Sequence, residues 1–306
     1  PGNTIMAQYN NVHLYGAVCS NVNVVRDKDS GKIINTTFYL ITLTSKRRYE
    51  GGNEENYPEQ NQVLVRSGVP EMAEKMAKLR LHDIITVKGT LNTRNVPLGI
   101  VCPVCSEKYN ASPKSTEYTD ALSMITFVTP IDIDIRETAI GDKSSIKLSR
   151  GLPNEELRGL LESDRSETLE YIAAHREMSN EIQVVGNLCT DPVRWEEGRA
   201  TAYQVGINRN YYLKDDSPSA YSDFPYIRSY GRQADEDITH LQKGTLVLVD
   251  GFIRLRKFQR KSVCPNCGAE KDWKHTVLEI VPYTVQYLSD VEKRPYLENN
   301  DGRGEY

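Results

Sequence analysis

The sequence predicts a mainly β protein: two copies of one small closed β-barrel in tandem, joined by a helical linker. Three observations predict it. Residues 65–105 align with 227–267 without a gap. Two short cysteine pairs, Cys102-Pro103-Val104-Cys105 and Cys264-Pro265-Asn266-Cys267, fall at matching places in that alignment. Each copy also shows the same succession of short apolar segments with one helical segment among them. Val65-Arg66-Ser67 falls on Ile227-Arg228-Ser229, Gly89 on Gly251 and Arg94 on Arg256. An earlier stretch repeats in a second register, placing Gly16 on Gly186 and Cys19 on Cys189. Repetition over this length marks duplication of one structural unit. The division it suggests is a first barrel at 8–135, an acidic helical linker at 136–179, a second barrel at 180–290 and a polar tail at 291–306. A chain of 306 residues can bury two such cores.

The elements follow in order. Each copy opens with a loosely alternating strand, Val12–Val18 in the first and Ile182–Leu188 in the second. The glycine in each marks a bulge or sharp bend. The second strands are Thr37–Leu43 and Ala202–Ile207, and the third are Gln62–Arg66 and Pro225–Ser229. Met72, Met76 and Leu79 then recur at i, i+4 and i+7, which places them on one face of a short helix. Ile84–Leu91 and Leu246–Ile253 are the fourth strands. The cysteine pairs sit in the loop before a fifth strand, near Leu122–Val128 and Val277–Val281. Five strands with a helix between the third and fourth is the order of an OB fold, although the pattern alone requires only a small closed barrel.

The linker differs in kind. Glu155, Glu156, Glu162, Asp164, Glu167, Glu170 and Glu177 face Arg150, Arg158, Arg165 and Arg176 in sequence. Leu157, Leu160, Leu161, Leu169, Ile172 and Ala173 recur at helical spacing, and Ser166 is placed to cap a helix through Glu167–Glu177. Charge runs of this kind read first as a solvated spacer. The sharper reading is a helix that packs on a barrel and sets the angle between the copies.

Composition narrows the function classes. No apolar run is long enough to cross a bilayer. No charged-then-apolar leader opens the chain, and residues 1–5 ahead of Met6 are set aside. The formal net charge is −4, but a local basic groove, not the total, decides nucleic-acid binding. Six cysteines without a leader point to a reducing compartment, where a Cys-x-x-Cys pair reads as metal-binding or redox-active.

The two cysteine pairs read as a structural zinc knuckle. A structural zinc takes four ligands, usually cysteine or histidine, and each loop supplies two. The simplest closure is one site from Cys102, Cys105, Cys264 and Cys267. His275 joining Cys264 and Cys267, pairing across subunits, and two metal-free dithiols remain open alternatives. Cys19 and Cys189 lie at strand ends and read as core thiols.

The second copy resembles the bacterial single-stranded DNA-binding protein family. The resemblance is carried by Val185–Trp195, by Phe224–Gly231 and above all by Lys243–Phe258. That last stretch spells K-G-x-x-V-x-V-x-G-x-x-R-x-R-x-aromatic. The first copy resembles the family more weakly, through Gly16, Phe38, the helix at 70–80 and Val87–Arg94. The resemblance implies two OB folds, single-stranded DNA as ligand, no catalysis, a cytoplasmic protein of bacterial, phage or plasmid origin, and four OB folds per assembly, hence a homodimer of this two-barrel chain. Two departures stand out. Most family members end in an acidic tail with an apolar tip that recruits partners, replication or recombination proteins among the possibilities, and Glu298–Tyr306 lacks that tip. The paired cysteines are not usual in the family.

Single-strand binding needs a basic track for phosphates and flat side chains for bases. Arg254, Arg256, Lys257, Arg260 and Lys261 crowd into eight residues, with Arg254 and Arg256 on one face of a strand. The resemblance places Phe224, Tyr230 and Phe258 at stacking positions, with Trp195 near another. Phe252 lies within an apolar run and reads as core. The first copy has Gln62, Gly68 and Val96 opposite the three aromatics, and only Arg94 persists. Lys46, Arg47, Arg48 and Tyr49 form a separate basic-aromatic cluster at an expected loop. The function expected is non-enzymatic protection of single-stranded DNA in replication, recombination or mobile-element transfer. An OB-fold RNA or tRNA binder is the alternative. No HExxH or GxxxxGK[ST] motif occurs to support hydrolase or helicase chemistry.

Overall fold

The computed structural model describes residues 9–50, 53–97, 99–110, 123–137, 165–174, 179–195, 199–209 and 222–289, with the side chains of 45–58 and Ser123 outside the description. The first half runs β1 (Tyr9–Val18), β2 (Asn23–Arg26), β3 (Ile33–Glu50), β4 (Asn53–Ser67), α1 (Pro70–Met76), β5 (Ile84–Val96), β6 (Gly99–Val101), β7 (Lys108–Asn110) and β8 (Ser123–Glu137). A helix over 165–174, α2, precedes the second half. That half runs β9 (Asn180–Leu188), β10 (Val193–Trp195), β11 (Ala200–Asn208), β12 (Ser222–Asp223), β13 (Tyr226–Tyr230), α3 (Gly231–His240), β14 (Leu246–Val263) and β15 (Glu270–Tyr287).

Pairing closes five strands into a barrel in each half. In the first, β1 pairs β5 and β3, β5 pairs β8, β3 pairs β4, and a parallel contact of Val65 with Val128 joins β4 to β8. In the second, β9 pairs β14 and β11, β14 pairs β15, β11 pairs β13, and β13 lies parallel to β15 at Tyr226 and Ile227. The repeated glycines explain themselves at this closure. A Cβ on Gly89 would lie 2.3 Å from the Thr129 carbonyl oxygen, and one on Gly251 would lie 2.2 Å from that of Val281. Each sits at a register shift where β5 or β14 bends against its partner, and only hydrogen fits.

α1 starts with Pro70 in its first turn and carries Glu71 there and Lys75 in its last turn, which suits the helix dipole. It buries Ala73 and Met76, and Thr36 Oγ1 donates to the Ala73 carbonyl at 2.9 Å. In the second half Thr201 Oγ1 donates to the Ala234 carbonyl in the same way, at 2.7 Å.

The barrels share one sheet. β1 and β9 run antiparallel, from Tyr9 opposite Val185 to Leu14 opposite Asn180. Val12, Leu14, Val63, Val65 and Val87 from one barrel and Ile182, Val184, Val205, Val247 and Ile253 from the other are fully buried in one continuous core. The fully buried Asp223 staples the seam. Its carboxylate accepts from Asn92 Nδ2 at 2.9 Å and the Thr93 backbone N–H at 2.6 Å, and from Arg209 at 2.7 and 2.8 Å.

The structure departs from the sequence reading in four places. The strands of each barrel's hairpins extend well beyond their apolar stretches; β15, for example, starts at Glu270. Ladder hydrogen bonds continue there whatever the side chains, because the facing strand supplies the partners. For the same reason Lys46–Tyr49 is no loop: it continues β3, with Lys46 opposite Tyr57 and Arg47 opposite Asn56, its side chains lying outside the description. The short β2, β6, β7, β10 and β12 were not anticipated, being too brief to leave a periodic signal. The solvated reading of the linker fails over 165–174. There Ile172 is 2% exposed and packs with Leu169 and Tyr171 on Tyr15, Ala17, Ile41 and Ile84, and Ser166 lies inside the helix rather than capping it. The rest of the linker, 138–164 and 175–178, and the polar tail from 290 on lie outside the described residues.

Candidate nucleic-acid interface and metal centre

The outward face of the second barrel is set by register. Tyr230 stands opposite Ala200, which stands opposite Trp195, and Tyr226 stands opposite Glu279, which stands opposite Arg254. Alternation adds Arg228 to this face, and Arg256, Phe258 and Arg260 beyond Arg254. The inward positions Ile227, Ile253 and Ile280 are buried in the core. Trp195, Tyr230, Arg254, Arg256, Phe258 and Arg260 are therefore brought together on one surface.

Lys257 and Lys261 are not part of it. They alternate to the other face of β14, so the basic run divides between two surfaces; Lys257 is exposed, and Lys261 lies 3.9 Å from Glu270. Phe224 sits in the link between β12 and β13 at the barrel seam, 41% exposed, and its backbone N–H donates to Thr93 Oγ1 at 2.9 Å. Arg94 is exposed on β5, and Phe252 is buried against Tyr283, as a core residue should be.

Arg and aromatic side chains interleave across the face. The Arg228 guanidinium lies 5.7 Å from the Trp195 ring centre, and Arg254 lies 4.8 Å from that of Tyr230. Arg256 and Arg260 flank Phe258 at 4.9 and 5.2 Å, and His275 stacks beside the same ring at 6.3 Å. Burial, and then Arg260, push the His275 imidazole below its ordinary pKa. Sequence reasoning missed Arg228 and Glu279. The Glu279 carboxylate, 3% exposed, accepts from Arg228 Nε at 2.9 Å and from Arg254 Nη2 at 2.5 Å. Arg254 also meets the Tyr230 hydroxyl. Although burial pulls its pKa down, Glu279 and Tyr230 push the Arg254 guanidinium up. A single carboxylate inside the apolar run Val277–Val281 was the available signal.

The first barrel lacks this set. Arg66, the counterpart of Arg228, lies over Phe127 at 5.1 Å, and Asn92, the counterpart of Arg254, is buried against Asp223.

The four cysteines converge at the hairpin tips. Cys102 and Cys105 lie in the turn between β6 and β7, Cys264 and Cys267 in the turn between β14 and β15, and all four sulfurs lie within 4.8 Å of one another. Cys102 Sγ is 3.6 Å from Cys267 Sγ, and Cys105 Sγ is 3.6 Å from Cys264 Sγ. Metal–sulfur bonds of ~2.3 Å in a tetrahedron place sulfurs ~3.8 Å apart, so the set fits one four-coordinate ion. The two turns are built alike. Ser106 N–H donates to the Cys102 carbonyl and Gly268 N–H to that of Cys264, with φ of 60° and 71° at Ser106 and Gly268. Backbone N–H groups of Cys105 and Val104 pull the Cys102 thiol down to about 6. The Ala269 amide also pulls on Cys267, yet burial and the neighbouring thiols push it up to about 12. His275 is not in the group. Tyr109 and Ser262 hydroxyls meet at 2.9 Å beside it, and Lys271 Nζ donates to the Val101 carbonyl at 2.8 Å, tying the tips together. Cys19 and Cys189 are half-buried rather than core, and burial pushes the Cys19 thiol up to about 11.

Among the described residues no helix is long and apolar enough to cross a membrane. Residues 179–288 match the model of the single-strand binding protein family. The single-stranded DNA-binding protein of Staphylococcus epidermidis is 26% identical over 118 residues, covering 38% of this chain and 81% of that protein. Single-stranded DNA-binding protein 2 of Streptococcus agalactiae serotype III is 28% identical over 127 residues, covering 40% of this chain and 87% of that protein. Over the whole fold, the wild-type single-stranded DNA binding protein from Thermus aquaticus superposes with a TM-score of 0.51 at 14% identity, across 94% of this chain and 96% of that one.

Proposed function

We propose that this chain, whose residues 179–288 belong to the single-strand binding protein family, binds single-stranded DNA without strong sequence preference, and does so mainly through its second barrel. One observation carries the reading. The outward face of that barrel holds Trp195, Tyr230 and Phe258 interleaved with Arg228, Arg254, Arg256 and Arg260. Aromatic and guanidinium planes stack on any base, and the Arg256 and Arg260 cations at the outer end of the face follow the phosphates. Each half reads as an OB fold, from the closed five-strand pairing with a helix between the third and fourth barrel strands. The described first barrel offers Arg94 and little else of the kind, with the Asn92 edge covered by the second barrel. Its role is support and assembly. Two chains would assemble as a homodimer of four barrels. Protecting exposed strands in replication, recombination or mobile-element transfer follows from such binding, and none of it needs catalysis.

The four thiols would hold a structural zinc. Four sulfur ligands leave no open position for substrate, so the ion would supply cross-linking and no chemistry. It would tie the tips of the two hairpins and continue the face of β14 and β15 as a rigid extension.

Titration of tryptophan fluorescence with a dT oligonucleotide tests the function. Tight binding is expected, with affinity falling as salt rises by a log-log slope of ~0.7 per neutralised phosphate. Duplex DNA bound equally well, or affinity indifferent to salt, would sink the reading. RNA of equal length competing better than dT would turn it toward the RNA-binding alternative.

A further inference from the structure

The arrangement around Glu279 assigns a job to a residue outside the usual inventory of bases and rings. Arg228 and Arg254 look, by charge, like two phosphate contacts. Both instead converge on one buried carboxylate, Arg228 through Nε at 2.9 Å and Arg254 through Nε at 3.1 Å and Nη2 at 2.5 Å. Glu279 is 3% exposed and Arg228 is 8% exposed, so neither charge is well solvated. Behind Trp195 stands Arg228, and behind Tyr230 stands Arg254. Trp195 is itself 53% exposed, so it has a face left for a ligand. The first barrel, with Phe127 in register opposite Asn92 where the second has Glu279 opposite Arg254, builds no such chain.

We propose that Glu279 is a positioning residue for single-strand recognition: it holds Arg228 and Arg254 as rigid backing for Trp195 and Tyr230, so that this part of the face presents rings to bases rather than charges to phosphates. The proposal rests on the single-strand-binding function given above and deepens it. The physical reason is competition. A guanidinium already paired with a buried carboxylate gains little from a phosphate and releases few counterions. A ring with a cation fixed on one face keeps its orientation, and stacking on its other face requires no reordering.

The test compares a dT oligonucleotide with an abasic strand of equal length across a salt series, for the full chain and for Glu279→Gln and Arg254→Met. For Glu279→Gln the ratio of dT to abasic affinity should fall roughly tenfold, the loss of about one stacked base, while the salt slope steepens by up to ~0.7 as one more cation is released to the phosphates. For Arg254→Met the ratio should fall with the slope unchanged. A purely structural role would weaken both strands equally and leave ratio and slope where they were, and that result overturns the proposal. So does Arg254→Met lowering the slope by ~0.7 with an unchanged ratio, which would make Arg254 a phosphate contact. If Glu279→Gln fails to fold by circular dichroism, Arg254→Met decides alone. A wild-type chain that binds neither strand overturns the functional reading itself, a result distinct from wild-type binding with unmoved variants.

Discussion

At the scale of residues, two buried carboxylates, Asp223 and Glu279, fix contacts where sequence patterns are silent. Asp223 is fully buried and holds Arg209 while also accepting from Asn92 and Thr93 across the seam. A buried pair adds little net stability over apolar packing, but breaking one is costly because the remaining charge is stranded. Asp223→Ala should therefore cost about 3–5 kcal/mol in urea denaturation. A loss below about 1 kcal/mol would show that water reaches the seam and that the staple is an incidental contact. Neither Asp223 nor Arg209 was legible in the sequence, since a polar residue outside any apolar pattern gives no sign that it will be covered. Trp195, Tyr230 and Phe258 were legible, Tyr230 and Phe258 through the family resemblance and Trp195 also as a ring between Arg194 and Glu196, and the structure places all three on one face. Alternation already put Arg254 and Arg256 on one face in the sequence; the length of β14 carries it on, setting Arg260 beside Phe258 and turning Lys257 away, which the short expected strand did not reach.

At the scale of elements, the order of strands and helix in each copy is readable from periodicity, and the ends of the elements are not. Apolar alternation marks only the part of a strand that lines the core, whereas β3–β4 and β14–β15 continue as ribbons held by backbone pairing. The recurring glycines are the firmest element-level signal, because they mark where barrel strands press together. Gly251→Ala would put a Cβ 2.2 Å from the Val281 carbonyl oxygen and 2.8 Å from Pro282 Cα, both backbone atoms. The barrel must shift, at a cost of about 1–3 kcal/mol or more. A lowered urea midpoint with unchanged slope is expected, and an unchanged midpoint would mean that the corner relaxes freely. Helix α2 shows the opposite balance. Its charge pattern suggested solvent while Leu169 and Ile172 at helical spacing offered a packing face, and that face meets an apolar patch formed by β1, β3 and β5, whose place no local pattern of the linker encodes.

At the scale of the whole molecule, duplication does the work of a dimer interface inside one chain. β1 and β9 pair antiparallel, the barrels merge their cores, and the hairpin tips meet at four cysteines. One zinc per chain is expected by elemental analysis, lost on Cys264→Ser. Its removal should lower Tm and loosen both tips, since binding energy at a structural zinc is folding energy. Single-strand affinity should fall only in part, because Trp195 and Tyr230 lie on the barrel and not on the tips. Two zinc ions per chain, or none, would defeat the shared site. Light scattering on the same sample should report a dimer, and a strict monomer would refute the four-barrel assembly.

The sequence by itself determined the duplication, the mainly β class, the strand order within each copy, the aromatic candidates and the cysteine pairs, because these are carried by residue type and by spacing along the chain. Only the tertiary structure decided which residues meet across it. It brought Cys102 to Cys267, set Asn92 against Asp223, and joined Arg228 to Arg254 through Glu279. The reason is that each of these contacts joins segments distant in sequence, through strand register and barrel packing. Register shifts by one residue reverse every side chain, so a face is known only when its neighbours are.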